Sequence, residues 1–206
     1  MQLPKIYKDA DLNLIKNKSI GIIGYGNQGR AQALNLLDGG MDVSIGLREE
    51  SNSWKLAADS GLHCTSVNDI VKNCDIISLL IPDQVMKEVY SENIEPHLTE
   101  GKTLLFSHGY NIHYNLIQPP KFINVVMAAP SGAGSELRKQ FKIGKGIPGL
   151  IAVHQDYSGD SFDIALAYSK AIGLTRMGVF KSTFKEETET DLFGEQIILT
   201  GGIPKL

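Results

Sequence analysis

Residues 19–29 read Ser-Ile-Gly-Ile-Ile-Gly-Tyr-Gly-Asn-Gln-Gly, an apolar run that enters a glycine-spaced turn. Ser19–Gly24 has the isoleucine density of a buried strand. From Asn27 to about Leu37 the apolar spacing becomes helical, and Gly39-Gly40 closes the segment. Between strand and helix, Gly24, Gly26 and Gly29 make a GxGxxG pattern. In that setting the first glycine forms the tight turn, the second admits a pyrophosphate to the backbone, and the third lets helix and strand pack. The helix start adds unpaired N–H groups and the positive end of its dipole. Gly24, Tyr25, Gly26, Asn27, Gln28 and Gly29 are therefore the candidate dinucleotide-binding residues. The glycines alone are a weak signal; the strand before them and the helix after them distinguish a cofactor turn from a structural one.

Outward from this unit the chain repeats the same alternation. Strands are predicted at Asp42–Leu47, Asp75–Leu80, Thr103–Ser107, Ile123–Ala128 and Leu150–His154. Helices are predicted near Trp54–Ser60, Gln84–Asn93, Phe162–Ala171 and Phe184–Thr200, with Gly173 as a C-terminal glycine and Pro130–Gly134 as a loop. Continuous apolar strands alternating with helices predict an α/β fold of the Rossmann type: a doubly wound, mainly parallel sheet with helices on both faces. Residues 1–182 are expected to form this dinucleotide-binding domain, and 183–206 to begin a metal-binding helical region. The 206 residues carry 20 basic and 23 acidic side chains, a net charge of -3 that argues against a nucleic-acid partner. No apolar run has membrane-spanning length, Met1–Lys8 lacks an export core, and Cys64 and Cys74 have no metal-ligand spacing. A cytoplasmic protein with reduced thiols and no membrane partner is the expectation.

Cofactor choice is read at the end of the second strand. Leu47-Arg48 stands where an NAD site usually places an acid, and Ser51 and Ser53 follow. A guanidinium and two hydroxyls suit a 2′-phosphate, which predicts NADP, whereas Glu49 or Glu50 would serve a 2′-hydroxyl. In Lys185–Gln196, Thr183 and Glu186 have capping-box spacing, while Glu187, Asp191 and Glu195 share one helix face. Carboxylates one turn apart suit Mg²⁺; the same acids also suit a helix dipole and a solvated face. His108 directly follows the strand TLLFS, at a crevice position where it either handles substrate or a proton, or is held structurally. Ser131 lacks nucleophile-elbow spacing and reads as a loop serine.

Together these segments resemble ketol-acid reductoisomerase, also called acetohydroxy acid isomeroreductase. The similarity runs through GYGNQG at Gly24–Gly29, GLREESNSW at Gly46–Trp54, LIPDQV at Leu80–Val85 and SHGYNIH at Ser107–His113. It continues through IPGLIAVHQD at Ile147–Asp156 and TFKEETETDLFGEQ at Thr183–Gln196. The resemblance implies an oxidoreductase of branched-chain amino-acid (isoleucine and valine) biosynthesis that uses NADPH and two Mg²⁺ ions. Its substrates are the acetohydroxy acids 2-acetolactate and 2-aceto-2-hydroxybutyrate, which undergo alkyl migration and then reduction to a 2,3-dihydroxy acid. By motif position it implies Asp191 and Glu195 as metal ligands, His108 in the active site, and Arg48, Ser51 and Ser53 on the 2′-phosphate.

Three departures accompany the likeness. The family continues into a knotted helical domain that supplies further ligands, and the 206 residues hold none of it. The expectation is therefore a homo-oligomer or a partner chain supplying those helices, with the apolar positions Phe193, Ile197, Ile198 and Leu199 favouring self-association. Ser131 stands where the family's loop carries a lysine, and Arg30 where a histidine is usual. The alternative expectation is a truncated, non-catalytic NADP-binding paralogue.

Overall fold

The computed structural model describes residues 5–194. Glu195, Ile197, Ile198 and Leu199 lie outside the described residues, as does the side chain of Phe193. Nine strands are described: β1 (Ile6–Tyr7), β2 (Ile20–Ile23), β3 (Val43–Gly46), β4 (His63–Thr65), β5 (Ile76–Leu79), β6 (Thr103–Phe106), β7 (Asn124–Pro130), β8 (Gly149–Gln155) and β9 (Val179–Lys181). They form one sheet in the order β1-β9-β8-β7-β6-β5-β2-β3-β4. The six from β4 to β7 in that order are mutually parallel. From β2 the chain steps outward to β3 and β4, then returns to β5 on the other side. That reversal makes the β2/β5 seam a topological switch point, where crossovers on opposite faces leave a crevice at the strand C-termini.

The helices are α1 (Asn13–Lys16), α2 (Asn27–Asp38), α3 (Asn52–Ala58), α4 (Val67–Asn73), α5 (Asp83–Val89), α6 (Tyr110–His113), α7 (Gly134–Lys142), α8 (Ser161–Ala171) and α9 (Phe184–Gly194). A π-helical turn, Tyr90–Ile94, extends α5. Because side chains alternate along each strand, the sheet feeds two cores. Ile20, Ile22, Ile76, Leu105 and Val126 join one face with residues of α2 and α8. Ile23, Ile77, Leu79, Leu104, Phe106 and Met127 join the other with Ile70, Met86 and Phe184. The central strands β2, β5, β6 and β7 are apolar on both sides for this reason, which is why they read as continuous runs.

The structure departs from uniform parallel order at two places. Strand β8 runs antiparallel to β7, with Gly149 opposite Pro130, and β1 runs antiparallel to β9. After β7, helix α7 packs on α2, and the chain re-enters the sheet beside the strand end it has just left. The segment read as a loop, Pro130–Gly134, therefore includes the strand's last residue and the first residue of α7. Helix α7 (GSELRKQFK) is short and charged, and its apolar period rests on only two large residues, Leu137 and Phe141, one turn apart. Helix α4 was likewise unmarked, although Ser66 caps it by accepting from Asp69 N–H.

At the β2–α2 turn Gly24 has φ +101°, and a Cβ there would lie 2.6 Å from the Leu80 carbonyl oxygen. A Cβ on Gly29 would lie 2.4 Å from the Gly24 carbonyl oxygen, whereas one on Gly26 would meet nothing within 4 Å. Gly29→Ala is therefore expected to destabilise the chain by about 1–3 kcal/mol in denaturant unfolding. Gly26→Ala should stay within about 0.5 kcal/mol of the parent. Equal losses would mean that the close helix–strand approach is not what the third glycine provides.

Candidate active site

The C-terminal edge of the parallel strands carries two adjoining features. The first is the glycine turn. Its residues Gly24, Tyr25, Gly26, Asn27, Gln28 and Gly29 lie between β2 and the first turn of α2. Gly26 is exposed, and the Tyr25 side chain is buried with no partner for its hydroxyl among the described residues. The Asn27 and Gln28 side chains, exposed and half-buried respectively, each bond to the segment after β7. Asn27 Oδ1 accepts from Ser135 N–H at 3.0 Å, and Gln28 Nε2 donates to the Gly132 carbonyl at 2.8 Å. A groove of about 550 Å³ opens beside the turn, lined by Tyr25, Gly26, Arg30 and Arg138 among others. Arg48, exposed, and Ser51 and Ser53, half-buried, follow β3 on the same edge. Ser51 caps α3 by accepting from Ser53 N–H at 3.3 Å. Glu49 and Glu50 are exposed in the same turn.

The second feature gathers around His108, just past β6. The capping box opens α9 as the spacing predicts, with Glu186 N–H donating to Thr183 Oγ1 at 3.0 Å. The helix then lies against Gly109, where a Cβ would sit 2.5 Å from both the Phe184 carbonyl oxygen and Thr188 Oγ1. This contact lets Glu187 reach inward. Its Oε1 lies 3.0 Å from His108 Nδ1, and its Oε2 accepts from Gly109 N–H at 2.7 Å. Asp191, one turn on, has Oδ2 3.6 Å from the same nitrogen and is 52% exposed, against 7% for Glu187. One acidic face thus holds two different acids: a buried carboxylate that orients the histidine, and a half-open one at the crevice.

Asp191 and His108 line a second cavity of about 550 Å³ together with Asp83, Gln84, Lys87 and Asn111. Asn111 donates to Asp83 Oδ1 at 2.8 Å. Burial of the His108 ring pushes its pKa down. The hydrogen bond and charge of Glu187, with Asp83 and Asp191 behind it, outweigh the effect of burial and hold it above the ordinary histidine value. Among the described residues, His108, Glu187 and Asp191 are a group whose ligand atoms lie within 4.8 Å of one another. The structure therefore brings His108 and Asp191 together. Glu195 lies outside the described residues. Sequence reasoning missed the roles of Glu187, Asp83 and Asn111. Glu187 was visible only as a member of the helix face, and nothing in its spacing distinguishes an inward acid from an outward one. Ser131 is exposed past the end of β7, its N–H donating to the Pro148 carbonyl at 2.9 Å.

Residues 14–178 match the family model of the acetohydroxy acid isomeroreductase NADPH-binding domain. The chain belongs to this family. It is 53% identical over 206 residues to the ketol-acid reductoisomerase (NADP(+)) of Sulfurisphaera tokodaii, covering 99% of this chain and 62% of the relative. The corresponding protein of Methanocaldococcus jannaschii is 52% identical over 199 residues, which cover 97% of this chain and 60% of that one. The NADH-preferring ketol-acid reductoisomerase from an uncultured archean superposes with a TM-score of 0.94 at 40% identity, across 96% of this chain and 62% of that one. The chain therefore spans about 60% of the length of the curated relatives it matches. Among the described residues no helix is long and apolar enough to cross a membrane.

In Glu187→Gln, ring burial loses its opposing charge, so the His108 pKa is expected to fall below the parent's in a proton NMR titration. An unchanged value would remove the carboxylate as the cause. Because the folded-state pKa is raised, the pair's stabilisation is complete below the unfolded histidine value. It is lost as pH rises through the folded value. The stability gap between parent and variant should narrow in that direction.

Proposed function

We propose that the chain is the cofactor-binding half of a ketol-acid reductoisomerase. In this reading it binds NADPH on the glycine turn and Mg²⁺ at the acidic helix, and acts on 2-acetolactate or 2-aceto-2-hydroxybutyrate with helices from a further domain or chain. The observation that carries the reading is the joining of the glycine turn and the His108–Glu187–Asp191 group on one sheet edge, within a chain of this family. The residues present fit both groups. Open space over Gly26 and the unpartnered Tyr25 hydroxyl suit a dinucleotide that approaches the backbone. The half-exposed Asp191 oxygen beside a polar cavity suits a hard cation that keeps several waters.

NADPH supplies the hydride for the reduction, and Mg²⁺ supplies Lewis-acid polarisation of the substrate oxygens during alkyl migration. The chain's own residues prepare the place for both. Arg48 would pair with the 2′-phosphate, and the Ser51 and Ser53 hydroxyls would hydrogen-bond to it. The α2 N-terminus would face the pyrophosphate. Asp191, with Glu195 beyond the described residues, would hold the cation. Glu187 holds His108 by Nδ1, which leaves Nε2 as the ring nitrogen that takes or gives a proton.

Ser131, in place of the family's lysine, favours a second reading: a chain that binds NADP without chemistry, because the cation that would balance developing charge is missing. NADPH oxidation by the purified chain with 2-acetolactate, with and without Mg²⁺, beside a direct NADPH titration, separates the two. Magnesium-dependent turnover supports the enzyme, and tight binding with no turnover supports the second reading. Arg48→Glu is expected to weaken NADPH about tenfold or more while sparing NADH, since it replaces a charge-assisted pair with repulsion. Equal losses would sink the 2′-phosphate role. Asp191→Asn should abolish any Mg²⁺-dependent response, and an unchanged Mg²⁺ titration would remove Asp191 from the metal site.

A further inference from the structure

Between the two halves of the site runs a hydrogen-bonded tree of side chains that the reading above does not use. Its root is Tyr168 of α8, which is fully buried and donates to Gln32 Oε1 at 2.9 Å. Gln32, also fully buried on α2, sends Nε2 in two directions: to Gln28 Oε1 at 3.2 Å and to Ser107 Oγ at 3.0 Å. Gln28 passes one branch to the Gly132 carbonyl at 2.8 Å, and Ser107 passes the other to the Ala128 carbonyl at 3.1 Å.

The proton directions in this tree are forced. Both branches end on backbone carbonyls, which only accept. Ser107 spends its hydrogen on Ala128, so it must receive one from Gln32. Gln28 must turn its amide nitrogen to Gly132, so its oxygen faces Gln32. Gln32 therefore presents nitrogen to both branches and oxygen to Tyr168, and each of its amide atoms is used. A reversed amide at either glutamine would set two donors or two acceptors against each other in a buried site.

The tree ties together three parts of the crevice: the first turn of α2 through Gln28, the residue before His108 through Ser107, and the loop bearing Ser131 through Gly132. A second tie runs beside it, from Ser135 N–H to Asn27 Oδ1. The backbones also touch there, since a Cβ on Gly134 would lie 2.2 Å from the Asn27 carbonyl oxygen.

We propose that Gln32 is a positioning residue that locks loop 131–135 onto the cofactor turn, so that dinucleotide occupancy of the turn and order in the loop form one linked equilibrium. The second half of this statement rests on the reading of the turn as an NADPH site. By linkage, a ligand that steadies the α2 first turn steadies the loop through Gln28, whose amide Gln32 holds in orientation.

The test is amide hydrogen exchange at Ser131 and Ser135 in the full chain, with and without NADPH. The variants are Gln32→Met, which keeps the length and removes both branches, and Tyr168→Phe, which removes the root and keeps both branches. Tyr168→Phe is thus the control for lost core stability. Without cofactor, Gln32→Met should raise exchange at both amides about five- to tenfold, the factor one hydrogen bond is worth, while Tyr168→Phe leaves them at the parent's rate once matched for global stability. With saturating NADPH, both amides should slow in the parent and in Tyr168→Phe, and by a smaller factor in Gln32→Met. Identical behaviour of the two variants would overturn the lock and reduce the tree to core stability. NADPH binding without slowed exchange in the parent would overturn the linkage alone. Absence of NADPH binding in the parent would instead fail the dinucleotide reading and the linkage with it, and the cofactor-free comparison would still decide the lock.

Discussion

The architecture depends on close backbone approach at a single turn. The Gly24 carbonyl occupies the space that a side chain at position 29 would need, and the Leu80 carbonyl occupies the space that one at position 24 would need. Helix α2 can therefore start directly off β2 and lie against the sheet, with its N-terminus over the seam where β2 meets β5. That placement brings the positive end of a twelve-residue helix to the crevice mouth. It also decides where α7 can sit, because α7 begins against the backbone of Asn27. From there the chain re-enters the sheet antiparallel, and the Ser131 loop is left beside the cofactor turn.

The opposite wall depends on a second approach of the same kind. Gly109 lets the α9 backbone come close enough for a buried carboxylate to span from the histidine ring to a main-chain N–H. A buried acid with no partner would be costly. Glu187 avoids this by giving one oxygen to His108 and the other to Gly109, and the histidine gains a fixed orientation and a raised affinity for its proton. Asp191 is one turn further along and emerges at the cavity. Burial, set by the angle at which the helix docks, divides one acidic stripe into a buried acid that positions the histidine and a half-exposed acid that faces the cavity.

Much of the fold was legible because parallel strands buried on both faces announce themselves as apolar runs, and β2, β3, β5 and β6 lie within the stretches read from the chain. The glycine turn was legible because three glycines each answer a distinct steric demand. Legible but unread were α7 and α4, short helices whose few apolar residues do keep helical spacing (Leu137 and Phe141; Val67, Ile70 and Val71); illegible was the antiparallel step at β8, which depends on where α7 docks rather than on any residue of β8. In the candidate site, His108 could be named from its position after a strand and Asp191 from the family motif rather than from its spacing, with Arg48, Ser51 and Ser53 named from their place after the second strand of the βαβ unit. Glu187 could be placed on the helix face but given no role.

The sequence by itself determined the strand–turn–helix unit, the fold class and the set of acids offered by α9, since these follow from local sterics and from side-chain period. Tertiary structure alone decided which acid is buried against His108 and which side chains of the glycine turn are spent on the neighbouring loop. It also decided that Gln32 joins the cofactor turn to the strand ends carrying His108 and Ser131. These are contacts between residues 75 to 136 positions apart, as in Gln32 with Ser107 and with Tyr168. No local pattern encodes such a pairing, because it comes into being only when the sheet brings the strand ends to one edge.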